Sequence, residues 1–201
     1  MAFIRSHRQS PLALYVANEM ISKSFSVPAT DLEEILARNC RISDTARAAR
    51  FCRQAEQACY FCKDIHYPDV PLHTPTFDTT LLSAHIRPGH VTLIDCWASW
   101  CGPCRAAIPK VKALYDKYGR DRFDVISISL DSKKEDWQKA LEEEKMPWPQ
   151  FIAGNRGYKQ LTSRYNISSI PNLILIDGKG QVVCNTFSPE EIRIELEQIL
   201  R

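Results

Sequence analysis

An apolar, strongly β-forming run at residues 91–96 leads, within a few residues, into Trp100-Cys101-Gly102-Pro103-Cys104, and an amphipathic helical pattern follows at once. A strand must therefore end, and a helix begin, at a pair of cysteines three positions apart. The helical stripe carries Cys104, Ile108, Val111, Leu114, Tyr115 and Tyr118. Residues 123–129 alternate as a strand. Ser132 and Glu135 form a capping box that opens a helix reaching about residue 145, and residues 156–165 suit another. Residues 173–176 and 181–186 read as strands joined by the turn Asp177-Gly178-Lys179-Gly180. Ser188 caps a last helix, with Pro189 at its first position. The order is βαβ, an extra helical stretch, then ββα, which predicts an α/β fold with a central mixed sheet covered by helices.

Upstream the pattern changes. Pro68, Pro71 and Pro75 exclude a long helix over residues 67–77 and mark a boundary. Residues 1–67 are expected to form a helical extension, and residues 68–201 the second domain. In the extension Thr30 begins a capping box ahead of Leu32, Ile35, Leu36 and Cys40. A longer stripe runs through Ala48, Cys52, Ala55, Cys59 and Cys62. Arg5, His7 and Arg8 precede a short apolar stretch at residues 12–17, faintly like a signal peptide. Asn18 and Glu19 stand where small cleavage-site residues belong, so the stretch reads as a helix. On that reading the native protein is not exported, or the chain lacks its leader. No segment approaches the roughly 20 apolar residues of a membrane helix. A net charge of +2 with interspersed signs shows no basic stripe of the kind that binds nucleic acid.

Eight cysteines are many for 201 residues. Cys52, Cys59 and Cys62 lie on one helical stripe with small residues, so Cys59-Tyr60-Phe61-Cys62 reads as core. Cys40, Cys96 and Cys184 read as buried structural thiols. Cys101 and Cys104 differ, because a helix N-terminus presents unpaired N–H groups and a partial positive charge to the first of them. Lowering a thiol pKa from about 8.5 to about 7 raises the thiolate fraction at neutral pH from roughly 3% to roughly half. Arg105 adds a nearby positive charge. Cys101 is thus the expected attacking thiolate and Cys104 the resolving thiol. A zinc site would need two further ligands, yet all five histidines precede the motif and Cys184 alone follows it. No metal or other cofactor is expected.

The residues Ile94-Asp95-Cys96-Trp97-Ala98-Ser99-Trp100-Cys101-Gly102-Pro103-Cys104-Arg105 resemble the thioredoxin superfamily. Pro109, residues 127–131, Trp148-Pro149 and Ser169-Ile170-Pro171 extend the resemblance to the TlpA-like thiol–disulfide oxidoreductases, over about residues 68–201. It implies a thioredoxin fold with an N-terminal helical extension, and a protein-disulfide reductase using Cys101 and Cys104. It further implies that Pro171 is a cis-proline facing the pair, and that the Ile170 backbone binds substrate peptide. Asp95 would exchange protons with Cys104, an apolar strand raising its pKa toward neutral. Trp100, with Gly102 and Pro103, would form the docking surface. The implied partners are disulfide-containing proteins and an upstream thiol donor, in the bacterial envelope; a cytoplasmic setting is the alternative. Three positions depart from the family pattern. Ala107 replaces a glutamate common in this group, Cys96 an aromatic residue, and Asn172 a threonine or serine.

Two other chemistries fit a related scaffold. A peroxiredoxin-type peroxidase would carry threonine or serine where this chain has Ala98. A copper carrier would pair its cysteines with a later histidine, and none follows Cys104.

Overall fold

The most apolar stretch of the sequence becomes the centre of a sheet. In the computed structural model, which describes residues 66–119 and 122–200, strand β3 (Val91–Trp97) is buried along its whole length. It pairs in parallel with β4 (Phe123–Ser129) and antiparallel with β6 (Asn172–Ile176). A strand covered on both faces has no need of polar alternation, which is why it reads as one continuous run. The antiparallel hairpin partner of β6 is β7 (Val182–Thr186), across the expected turn.

Three further strands complete a seven-stranded sheet among the described residues. These are β1 (Pro71–His73), β2 (Thr79–Leu81) and β5 (Gln150–Ile152), and the order across the sheet is β2-β1-β5-β4-β3-β6-β7. None was anticipated from the sequence. Each has three residues, too few to display a period of two. Pro71 is tolerated because it opens its strand. His66 and Tyr67 already belong to this unit: His66 bridges Gln181, and the Tyr67 N–H donates to Gly180 O at 2.9 Å. The helical pattern expected upstream, with Cys40, Cys52, Cys59 and Cys62, otherwise lies outside the described residues.

Among the described residues four α-helices flank the sheet. Helix α1 (Gly102–Tyr118) buries Cys104, Ile108, Val111 and Leu114, the stripe its spacing predicts. Helix α2 spans Lys134–Glu144, α3 Gly154–Arg164 and α4 Pro189–Ile199. The Ser132 capping box does not form. Lys133 is the N-cap of α2 and makes no side-chain cap bond. The first turn is instead supplied with Glu135 and Asp136, whose charge suits a helix N-terminus. Ser188 does stand at the N-cap of α4, with Pro189 beginning the helix, but its hydroxyl makes no capping bond.

Helix α3 lies so close to β1 that a Cβ on Gly157 would come within 2.3 Å of the Pro71 carbonyl oxygen. In an open helix Gly→Ala stabilises by about 1 kcal/mol; here the clash with a strand backbone outweighs it. Gly157→Ala is expected to lower the urea midpoint at constant slope, with a net loss of about 1–2 kcal/mol. A raised midpoint would mean that α3 is not seated on β1.

Candidate active site

Four residues carry the chain from the buried end of β3 to the first turn of α1, and one carboxylate holds both polar groups of Ser99 among them. The Ser99 N–H and hydroxyl donate to Asp131 Oδ2 and Oδ1 at 2.9 and 2.7 Å. The Ser129 hydroxyl adds a third bond to Asp131 at 2.6 Å. Leu130 N–H donates to Trp97 O at 2.8 Å, and Cys101 N–H to Ala98 O at 3.0 Å, closing the turn.

Cys101 arrives at the N-cap of α1 in extended conformation. It is disulfide-bonded to Cys104, the two Cα atoms 5.2 Å apart. The Cys104 N–H donates to Cys101 Sγ at 3.2 Å, so the sulfur is the group that caps the helix. On reduction, that amide and the helix dipole favour a thiolate at Cys101. Gly102 opens the helix and Pro103 follows, where a missing N–H costs nothing. Arg105 does not act as the free positive charge expected from sequence. Its guanidinium is bonded to Glu143 Oε2 at 2.8 Å and Glu144 Oε1 at 2.5 Å, carboxylates that answer its charge locally.

Both sulfurs are largely buried, in a cluster with Trp97, Ala98, Ile108, Trp137 and Ile152. Ile170 packs against this cluster, and the Ile170–Pro171 peptide bond is cis. Trp100 projects beside them, 71% exposed, while Trp97 is wholly in the core. A surface cavity of about 280 Å³ is lined by Trp100, Leu130, Tyr158, Thr162, Ile167 and Ile170. The structure therefore brings together Trp100, Cys101, Cys104, Ile170 and Pro171 from two separate segments.

Asp95 lies six residues before Cys101, buried in β3. Its parallel neighbour Ser127 donates to Oδ2 at 2.8 Å. Burial pushes the carboxyl pKa from 3.8 up to about 6, the Ser127 bond opposing the rise. Met146 packs on the cysteine cluster and also lies 3.8 Å from Ser127 Oγ, so the carboxyl's surroundings and the dithiol share a wall. Next to Asp95, the Cys96 thiol is pushed far up, first by burial and then by the carboxylate, which makes it inert. Asn172 faces Asn185, its Nδ2 donating across the hairpin at 2.8 Å.

Ser99, Asp131, Ser127 and Trp148 lie in the runs that carry the resemblance, but the sequence alone assigns no bond between them. A signal did exist: Ser127, Ser129 and Asp131 recur at a period of two, along and just beyond an otherwise apolar strand. Buried polar side chains in such a place demand partners.

A disulfide-bonded cysteine pair at the head of a helix, on a mixed sheet and beside the Ile170–Pro171 segment, defines a dithiol oxidoreductase. A family model described as thioredoxin-like matches residues 89–182. The thiol–disulfide oxidoreductase ResA of Geobacillus kaustophilus is 26% identical over 133 residues, covering 62% of this chain and 75% of that protein. The chain spans 61% of the sporulation thiol–disulfide oxidoreductase A of Bacillus subtilis, at 25% identity and over 50% of its own length. The solved structure of a thiol:disulfide interchange protein DsbE from Chlorobium tepidum is 32% identical. Its TM-score is 0.56, with 70% of this chain and 96% of that one covered. The chain belongs to the thioredoxin-like family, among its TlpA- and DsbE-like thiol–disulfide oxidoreductases.

Two outcomes follow from the buried carboxylates. Asp131→Ala strands the three donors it accepts and should destabilise the oxidised protein by about 3 kcal/mol in chemical denaturation. Asp95 behaves in the opposite sense, because its folded pKa is raised. Its protonated form favours the fold fully below about pH 4, and that contribution is lost as pH rises through about 6. Relative to wild type, Asp95→Asn should gain about 3 kcal/mol between pH 4 and pH 7.5. Parallel pH dependences of the two proteins would show that this carboxyl titrates as an exposed one does.

Proposed function

We propose that this domain reduces disulfides in protein substrates, with Cys101 as the attacking thiolate. The observation that carries this reading is the seating of Cys101 Sγ at the N-cap of α1, where it accepts the Cys104 N–H. The thiolate attacks one sulfur of a substrate disulfide. That bond breaks, one substrate thiolate leaves, and a mixed disulfide to Cys101 remains. Cys104 passes its proton to the Asp95 carboxylate and attacks Cys101 Sγ. The second substrate thiolate is expelled, and the pair closes to the disulfide of the present structure, having given two electrons to the substrate.

The substrate peptide lies along the cis-proline, its backbone against Ile170. Trp100 and the residues of the adjoining cavity receive its side chains. Gly102 and Pro103 keep the head of α1 smooth enough for a second chain to approach. An upstream thiol donor restores the dithiol. The family resemblance supports a place in the bacterial envelope. No helix among the described residues is long and apolar enough to cross a membrane.

Cys101→Ser is expected to abolish insulin-disulfide reduction, and Cys104→Ser to accumulate a mixed disulfide visible on a non-reducing gel. A redox titration by thiol trapping should give one two-electron transition near thioredoxin's roughly −270 mV. A transition near the roughly −120 mV of a strong oxidase would reverse the direction of transfer. Full activity in Cys101→Ser would remove the assignment.

A further inference from the structure

The segment between α2 and β5 reaches back into the sheet at a place that packing alone does not explain. Trp148 is buried, and its indole Nε1–H donates to Ser127 Oγ at 2.8 Å. The Ser127 N–H donates in turn to Pro149 O at 3.1 Å, so the segment is pinned by side chain and backbone together. The Tyr115 ring of α1 lies 5.3 Å from the indole and closes the other side. Lys112 holds the end of α2 to α1 through the Glu144 carbonyl at 2.6 Å.

The direction of these bonds is not free. An indole N–H only donates, so Ser127 must accept from it. The single serine proton then goes to Asp95 Oδ2 at 2.8 Å, ahead of the weak thioether acceptor Met146 Sδ at 3.8 Å. Among the described residues Oδ1 of Asp95 takes no hydrogen bond. The carboxyl is thus made unsymmetrical: one oxygen is committed as an acceptor and the other is left for a proton. Donation by the indole also polarises the serine O–H and strengthens its bond to a carboxylate.

We propose that Trp148 and Ser127 are positioning residues for proton transfer at the dithiol, orienting Asp95 so that Oδ1 receives the Cys104 proton while Oδ2 stays bound to the serine hydroxyl. This rests on the reading of Asp95 as the proton acceptor. Among the described residues no ion pair competes for the carboxyl. Cys96 on its own strand stays a neutral thiol, and β4 and β6 offer it Ser127 and Leu173. Arg105 of α1 is bonded to Glu143 and Glu144 of α2, and Lys112 to the Glu144 carbonyl. Met146, from the same segment as Trp148, carries no charge.

The test follows the Asp95 carboxyl carbon by NMR across a pH titration of the oxidised chain, alongside the pH profile of kcat/KM for insulin reduction. Losing a hydrogen bond to the charged form raises a carboxyl pKa. Ser127→Ala is expected to raise the Asp95 midpoint by about one pH unit, and the acid limb of the rate profile with it. Trp148→Phe, which keeps the ring and loses the N–H, should raise both by a smaller amount. Ser127→Thr, which keeps the hydroxyl, should restore wild-type values. If Ser127→Ala fails to fold because the indole N–H is stranded, Ser127→Ala/Trp148→Phe removes both partners and must show the same rise. An unmoved Asp95 midpoint in these variants overturns the positioning role and leaves Asp95 as the acceptor. A rate profile unchanged in Asp95→Asn overturns the proton-acceptor reading, and this proposal with it.

Discussion

The dithiol depends on how a strand buried on both faces hands the chain to a helix within four residues. Such a crossing brings backbone polar groups to the edge of the core, where each needs a partner. Asp131 accepts from the Ser99 amide and hydroxyl and is bonded in turn by the Ser129 hydroxyl, while Ala98 O accepts the Cys101 N–H. The turn so fixed delivers Cys101 at the helix N-cap with its sulfur toward the Cys104 amide. The thiolate's environment is thus a matter of backbone direction, and Arg105 is occupied elsewhere with Glu143 and Glu144.

Two adjacent residues of β3 show how finely burial divides chemistry. Asp95 and Cys96 point to opposite faces, as successive residues in a strand must. Asp95 meets a hydroxyl and stays within reach of neutral pH, whereas Cys96 is fully buried beside that carboxylate and loses its acidity. One becomes a candidate proton carrier and the other a packing group. Among the cysteines of the described residues, Cys101 and Cys104 alone are joined, while Cys96 and Cys184 are buried thiols.

Much of this was legible in advance. The long runs behaved as their periods say: β3 and β4 run as continuous strands, α1 buries its stripe, and the Asp177-to-Gly180 turn closes a hairpin. The cysteine pair and the proline before β6 were visible as motifs, because their spacing is local. What escaped was non-local or too short. Strands β1, β2 and β5 have three residues each and exist only because neighbours complete their hydrogen bonds. The reach of Trp148 to Ser127 spans twenty-one positions, and the grip of Asp131 on Ser99 thirty-two. The pairing of Arg105 with Glu143 and Glu144 of α2 depends on how two helices dock, and it takes away the charge expected at Cys101.

The distribution of indoles has an optical consequence. All four tryptophans of the chain belong to the described unit. Trp97, Trp137 and Trp148 are shielded from water, and Trp100 stands in it beside the disulfide. Emission from shielded rings lies to the blue of emission from a hydrated one. The two edges of a single spectrum therefore report on different parts of the molecule, the blue edge on the packed interior and the red edge on the face where a second chain would arrive. Light absorbed anywhere in this unit can be read as a statement about either.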